Sequence, residues 1–124
     1  AAREMARVTK PGGIVYVDAP FMQAYHADPR DYWRFTQDGL RRLFEEFEEI
    51  DSGVHIGPAS GLAWVFVAFC QGLAGGPLTR KLMFRLGRLI AFPWKYLDLL
   101  VVRRPYSYLA ASGVYYVGRK PGEL

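Results

Sequence analysis

The run Lys10-Pro11-Gly12-Gly13-Ile14-Val15-Tyr16-Val17 leaves few local structures open to the chain around it. Pro11 holds φ at about −65° and disfavours helical geometry at Lys10, so a helix carrying Met5 and Val8 must end there. Gly12 and Gly13 can take positive φ and reverse the chain. The four apolar residues that follow lack the polar alternation of a half-solvated strand, which predicts a strand covered on both faces, as in a parallel sheet. Only this run reads as a central strand. A buried strand followed by a helix is an α/β signature.

Further along, Thr36 is placed to cap a helix, Asp38 complements its dipole, and Leu40, Leu43, Phe44 and Phe47 recur at helical spacing. This predicts an amphipathic helix of about three turns. Residues 47–56 then read as an edge or near-edge strand ended by Gly57-Pro58. An apolar helix is expected over 62–74, too short for a bilayer core of about 30 Å. A second helical stretch runs from Leu78 to Val102, with Pro93 as a break. On it Leu82, Leu86, Leu89, Ile90, Pro93, Leu97 and Leu100 trace one face, and Lys81, Arg85 and Arg88 another. Residues 112–118 read as a closing strand.

With 124 residues, 51% hydrophobic and 23% charged, the chain has an ordinary globular composition. Its charge is unevenly spread. Residues 1–55 hold seven Lys or Arg against ten Asp or Glu, whereas residues 56–124 hold nine against two. The basic half also carries the long apolar stretches, a pairing that suits an anionic membrane surface or phosphorylated lipid. Nucleic acid is not expected, because no helix-turn-helix, zinc-finger or RNA-binding aromatic signature accompanies the charge. The single Cys70 rules out an internal disulfide framework and fits a reducing, cytoplasmic compartment. Neither an initiator Met nor a signal-peptide pattern opens the chain, as expected for a cut made inside a helix.

Two segments carry a family resemblance. The turn Val8-Thr9-Lys10-Pro11-Gly12-Gly13 resembles the one that leads into the fifth strand of class I S-adenosylmethionine-dependent methyltransferases. The segment Pro29-Arg30-Asp31-Tyr32-Trp33-Arg34-Phe35-Thr36, with Gly39-Leu40 and Leu43-Phe44, is similar to one that follows that strand in bacterial methyltransferases of the type 11 group. Ala111 through Lys120 looks like their last strand. The resemblance implies the C-terminal portion of a Rossmann-like seven-stranded α/β sheet whose last strand runs antiparallel between the fifth and sixth, with a helical insertion before it. It divides the chain into core residues 1–56, an insertion over 57–105, and a closing strand and tail over 106–124. It also implies S-adenosyl-L-methionine as cofactor, held mainly by residues absent from this chain, since the glycine-rich loop after the first strand has no counterpart here.

In open α/β sheets the acceptor lies beyond the carboxyl ends of the strands, which directs attention to the residues after Asp18. His26 is the candidate general base, histidine being the residue type suited to proton transfer near neutral pH; the alternative is a loop histidine. Asp28 and Asp31 are candidates to orient it or bind the acceptor. Arg34 can grip an anionic group in a forked hydrogen bond while Tyr32 or Trp33 stacks on a ring. Alternatively, Asp31 and Arg34 pair to fix the loop, and Trp33 and Phe35 fill the core. His55, with no acidic neighbour closer in sequence than Asp51, reads as structural.

Other chemistries do not match. Gly57-Pro58-Ala59-Ser60-Gly61 places its serine one position too late for a hydrolase nucleophile elbow. Two histidines and one cysteine do not make zinc spacing, and no metal is expected. The function that the resemblance implies is methyl transfer to a small-molecule or lipid-linked acceptor, and the basic amphipathic stretch suits peripheral contact at the inner membrane through residues 78–104. The alternative is a non-catalytic module that docks on a membrane or partner through the basic helix.

Overall fold

The computed structural model describes residues 1–27 and 30–122; Asp28, expected to bind the acceptor, lies outside the described residues. The first helix, α1 (Ala2–Val8), stops where Pro11 requires it to. Gly12 takes φ +74° and the Gly13 N–H donates to the Lys10 carbonyl at 2.8 Å, a type II turn with Pro at its second position and Gly at its third. The α1 carbonyls left open by the stop are filled from the far end of the chain. Lys120 Nζ donates to the carbonyls of Ala6 and Thr9 at 2.7 and 2.8 Å.

Strand β1 (Ile14–Pro20) pairs with β3 (Gly113–Arg119), which pairs on its other side with β2 (Glu48–Ile56); both pairings are antiparallel. Strands β1 and β2 therefore run parallel to each other with β3 reversed between them. The chain is mixed α/β, and the described sheet has three strands.

One face of this sheet carries the core. Val15, Val114 and Tyr116 pack with Leu40 of α2 (Gln37–Leu43) and with Phe44 and Phe47 just beyond it. Thr36 caps α2 as expected, its hydroxyl accepting from the Gly39 N–H at 3.0 Å. The helix is shorter than its periodicity predicts. Phe44 already leaves helical geometry at φ −113°, and Phe47 reaches the core from the following turn, while Leu43 is exposed. The Tyr116 ring stacks on Phe44 with centroids 5.6 Å apart, and burial pushes its phenol pKa up.

Among the described residues β1 is an edge strand and not covered on both faces, contrary to the expectation from its apolar run. Ile14 and Tyr16 are 59% and 54% exposed, and β3, with Val114 and Tyr116 almost wholly buried, is the strand with neighbours on both sides. An apolar run records that a strand can be buried on two faces; which strand occupies the middle depends on partners remote in sequence.

From β2 the chain passes through Gly57 into α3 (Pro58–Gly72), with Pro58 in the first turn where its missing N–H costs nothing. Helix α4 (Pro77–Ala91) ends before Pro93, followed by a 3₁₀ turn (Phe92–Leu97), α5 (Asp98–Val101) and a second 3₁₀ turn (Ser107–Ala110). Helix α4 packs on α3 at Gly87, where an added Cβ would lie 3.2 Å from that of Cys70. Its inward face is thus Gly87 and Ala91 with Met83 and Phe84, whereas Leu82, Leu86, Leu89 and Ile90, the predicted apolar stripe, are exposed. Small residues let the two backbones approach, and the leucines are left outside. Among the described residues no helix is long and apolar enough to cross a membrane.

Candidate functional site

Gly113 at the start of β3 pairs with both Pro20 and Ile56, so the carboxyl ends of β1 and β2 lie at the same end of the sheet, on either side of β3. The loop over 21–36 leaves the sheet at this end. Its first residues stay anchored, with the N–H groups of Phe21 and Met22 donating to the carbonyls of Ser112 and Ala111 at 2.9 and 3.0 Å. Near its end the loop returns to the strand, the Phe35 N–H donating to the Pro20 carbonyl at 3.0 Å.

Inside the loop the Asp31 carboxylate accepts from the His26 backbone N–H at 2.9 Å and pairs with Arg34, which also donates to the Ala24 carbonyl at 3.1 Å. The Asp31 side chain is 9% exposed and that of Arg34 29%, so this pair holds the loop closed from within. The His26 imidazole meets the Trp64 ring of α3 edge-on, with centroids 6.4 Å apart. Tyr32 is exposed and its hydroxyl lies 3.4 Å from Arg30. Phe35 packs against the core as one reading anticipated, but Trp33 does not fill it, being 75% exposed.

Trp64 also forms a wall of a cleft of about 450 Å³ between α3, α4 and the turn after α4. Val67, Phe84 and Phe92 line it, and among the described residues Arg88 and Lys95 bring its full charges. The Lys95 ammonium lies 4.2 Å from the centroid of Phe92 and the Arg88 guanidinium 5.4 Å from that of Phe84. The nearby acid, Asp98, is committed elsewhere, accepting from the N–H groups of Ala59 and Ser60 at 2.9 Å each at the start of α3. A second cleft of about 520 Å³ lies between the start of α2 and the second 3₁₀ turn, lined by Phe21, Gln37, Arg41 and Tyr108.

The opposite sheet face holds a cluster the sequence did not disclose. His55 Nδ1 is hydrogen-bonded to the Tyr16 hydroxyl at 3.0 Å and lies 3.5 Å from Asp18 Oδ2, so His55 does have an acidic neighbour, across β3. Tyr115 stacks beside Tyr16 and donates to Asp51 at 2.8 Å, a bond that raises its phenol pKa. Alternation within β1 puts Tyr16 and Asp18 on one face; only the insertion of β3 between β1 and β2 sets the distance to His55.

The loop after β1 contains no glycine, and the one strand-glycine-helix junction, from β2 through Gly57 to α3, has its first free N–H groups taken by Asp98. Comparisons with family models, with curated proteins and with solved structures give no match to this chain.

Proposed function

We propose that these residues form the acceptor side of a class I S-adenosylmethionine-dependent methyltransferase, the C-terminal part of its seven-stranded sheet, acting on a small-molecule or lipid-linked acceptor at the cytoplasmic face of a membrane. The observation that carries this reading is the strand order: β3 runs antiparallel between two mutually parallel strands, the first of which, β1, directly follows the Lys10–Gly13 turn. The outer edge of β1 has no strand beside it among the described residues, and further parallel strands would pair there. In this reading the methyl donor is held by residues other than these. The chain contributes the loop over 21–36, in which Asp31 and Arg34 set the backbone and His26 takes a proton from a hydroxyl or amine acceptor.

The test uses the natural polypeptide that contains this chain. Calorimetric titration with S-adenosylmethionine should give saturable binding to that polypeptide and none to the 124 residues alone. Incubation with labelled donor and a membrane-lipid extract should move the label to the lipid or small-molecule fraction. Absence of donor binding in the natural polypeptide overturns the reading; saturable binding by the short chain shows that the donor site has been misplaced.

A second reading, a non-catalytic module that docks on an anionic membrane, is favoured by the outward leucines of α4. Leu78, Leu82, Leu86 and Leu89 are exposed beside Lys81, Arg85 and Arg88, the pattern of a helix lying in a lipid interface. The two readings are separated by donor binding.

A further inference from the structure

The geometry points to the cleft between α3, α4 and the turn after α4 as a binding site for a lipid phosphate, with the phosphate between Arg88 and Lys95 and the first part of the hydrocarbon chain on Trp64, Val67, Phe84 and Phe92. The site names the class of acceptor for the transfer proposed above; it rests on that reading for the reaction but not for binding.

Three observations combine. The cleft, at about 450 Å³, falls in the range of small-molecule sites and is walled by aromatic and aliphatic side chains. Among the described residues its charged lining is cationic, and neither Arg88 nor Lys95 has a carboxylate within ion-pair distance. Each cation lies against a ring of the same wall, Arg88 at Phe84 and Lys95 at Phe92. An ammonium or guanidinium seated on a ring leaves its outer side open to an anion. A purely apolar ligand would leave those charges unanswered, and a free anion would leave the aromatic wall wet. An amphiphilic anion satisfies both.

The cleft also lies where such a ligand would be useful. Trp64 is shared between its wall and the edge contact with His26, so it touches the loop at the carboxyl end of β1. On the outside, the exposed leucines lie on α4, the helix that also supplies Phe84 and Arg88. Residues 57–105 carry seven Lys or Arg and one acid, Asp98, which favours residence at an anionic surface from which a lipid could enter.

Titration of the natural polypeptide with decyl phosphate below its micelle concentration, without donor, should reveal one saturable site. Inorganic phosphate and decyl maltoside should each bind at least about tenfold more weakly, since each offers half of the recognition, tenfold being about 1.4 kcal/mol. Arg88→Gln and Lys95→Gln should each weaken decyl phosphate about tenfold on the same scale, and Ala63→Phe, which fills the cleft, should abolish it. Thermal melting of each variant checks that it is folded. Equal binding of inorganic phosphate makes this a free-anion site, and equal binding of the maltoside makes it an uncharged groove; either overturns the proposal, as does parental affinity in both Gln variants. Decyl phosphate binding without any methyl transfer leaves this inference standing and counts against the transferase; transfer without such a site does the reverse.

Discussion

Asp98 stands where a side chain on residue 57 would have to be. A Cβ built on Gly57 would lie 2.2 Å from Asp98 Oδ1, and from that position the carboxylate accepts from the N–H groups of Ala59 and Ser60. The N-terminus of α3 is therefore capped by a residue 39 positions downstream of Ala59. Gly57 itself supplies no side-chain cap. Removing the carboxylate in Asp98→Ala should cost about 1 to 2 kcal/mol, the usual worth of an N-cap with its dipole contribution. Gly57→Ala should cost a similar amount by displacing the same group. Since both act on one interaction, denaturant unfolding of the double variant should show clearly less than the sum of the two; strict additivity would mean that Asp98 does not cap α3.

Acid sensitivity should be traceable to Glu49. Arg41 donates to its two carboxylate oxygens at 3.0 and 3.1 Å and Ser52 donates at 2.7 Å, and these bonds, Arg41 first, hold the Glu49 carboxyl below the usual range. A carboxylate with a depressed folded pKa adds stability that is present above its unfolded pKa and is lost as pH falls through the folded one. Stability should thus decline on acidification below the ordinary Glu range, and Glu49→Gln should flatten that decline. The effect should stay under about 1 kcal/mol because the pair is solvent-screened. An unchanged acid slope in urea titrations of the Gln variant would count against it.

Ser112 is wholly buried and, among the described residues, its hydroxyl is without a hydrogen-bond partner. Ser112→Ala removes an unsatisfied polar atom without opening much space, so it should be neutral or stabilising by up to about 1 kcal/mol. A clear drop in melting temperature would reveal a partner for the hydroxyl.

Membrane association separates the outward face of α4 from an ordinary solvated surface. Vesicle binding by the natural polypeptide should require anionic lipid, weaken in high salt, and fall when Lys81, Arg85 and Arg88 are all changed to Gln, each basic residue near the surface contributing about 1 kcal/mol. Parental binding by the triple variant would leave the leucines of α4 as a contact for another protein surface.

His26 and His55 can be told apart by kinetics. With His26 as general base, His26→Gln should lower kcat by about a hundredfold or more with little change in KM, and His55→Gln should not. The reverse result would move the chemistry to the Asp18–His55–Tyr16 cluster on the other sheet face.

What the sequence determined by itself was local. The turn at Lys10–Gly13, the cap at Thr36, the stop at Pro93 and the buried character of Leu40, Phe44 and Phe47 all follow from interactions spanning a few residues, and all are present. Tertiary structure decided everything that needed a partner from elsewhere in the chain. Which strand lies in the middle depends on β3 arriving from the far end of the chain to pair with two strands at once. Which face of α4 turns inward was set by close approach at Gly87, where the absence of a side chain outweighed the leucine stripe, because helices pack by shape as well as by hydrophobicity. The Asp98 cap and the Asp18–His55 neighbourhood are likewise contacts between residues dozens of positions apart, and no local pattern records them.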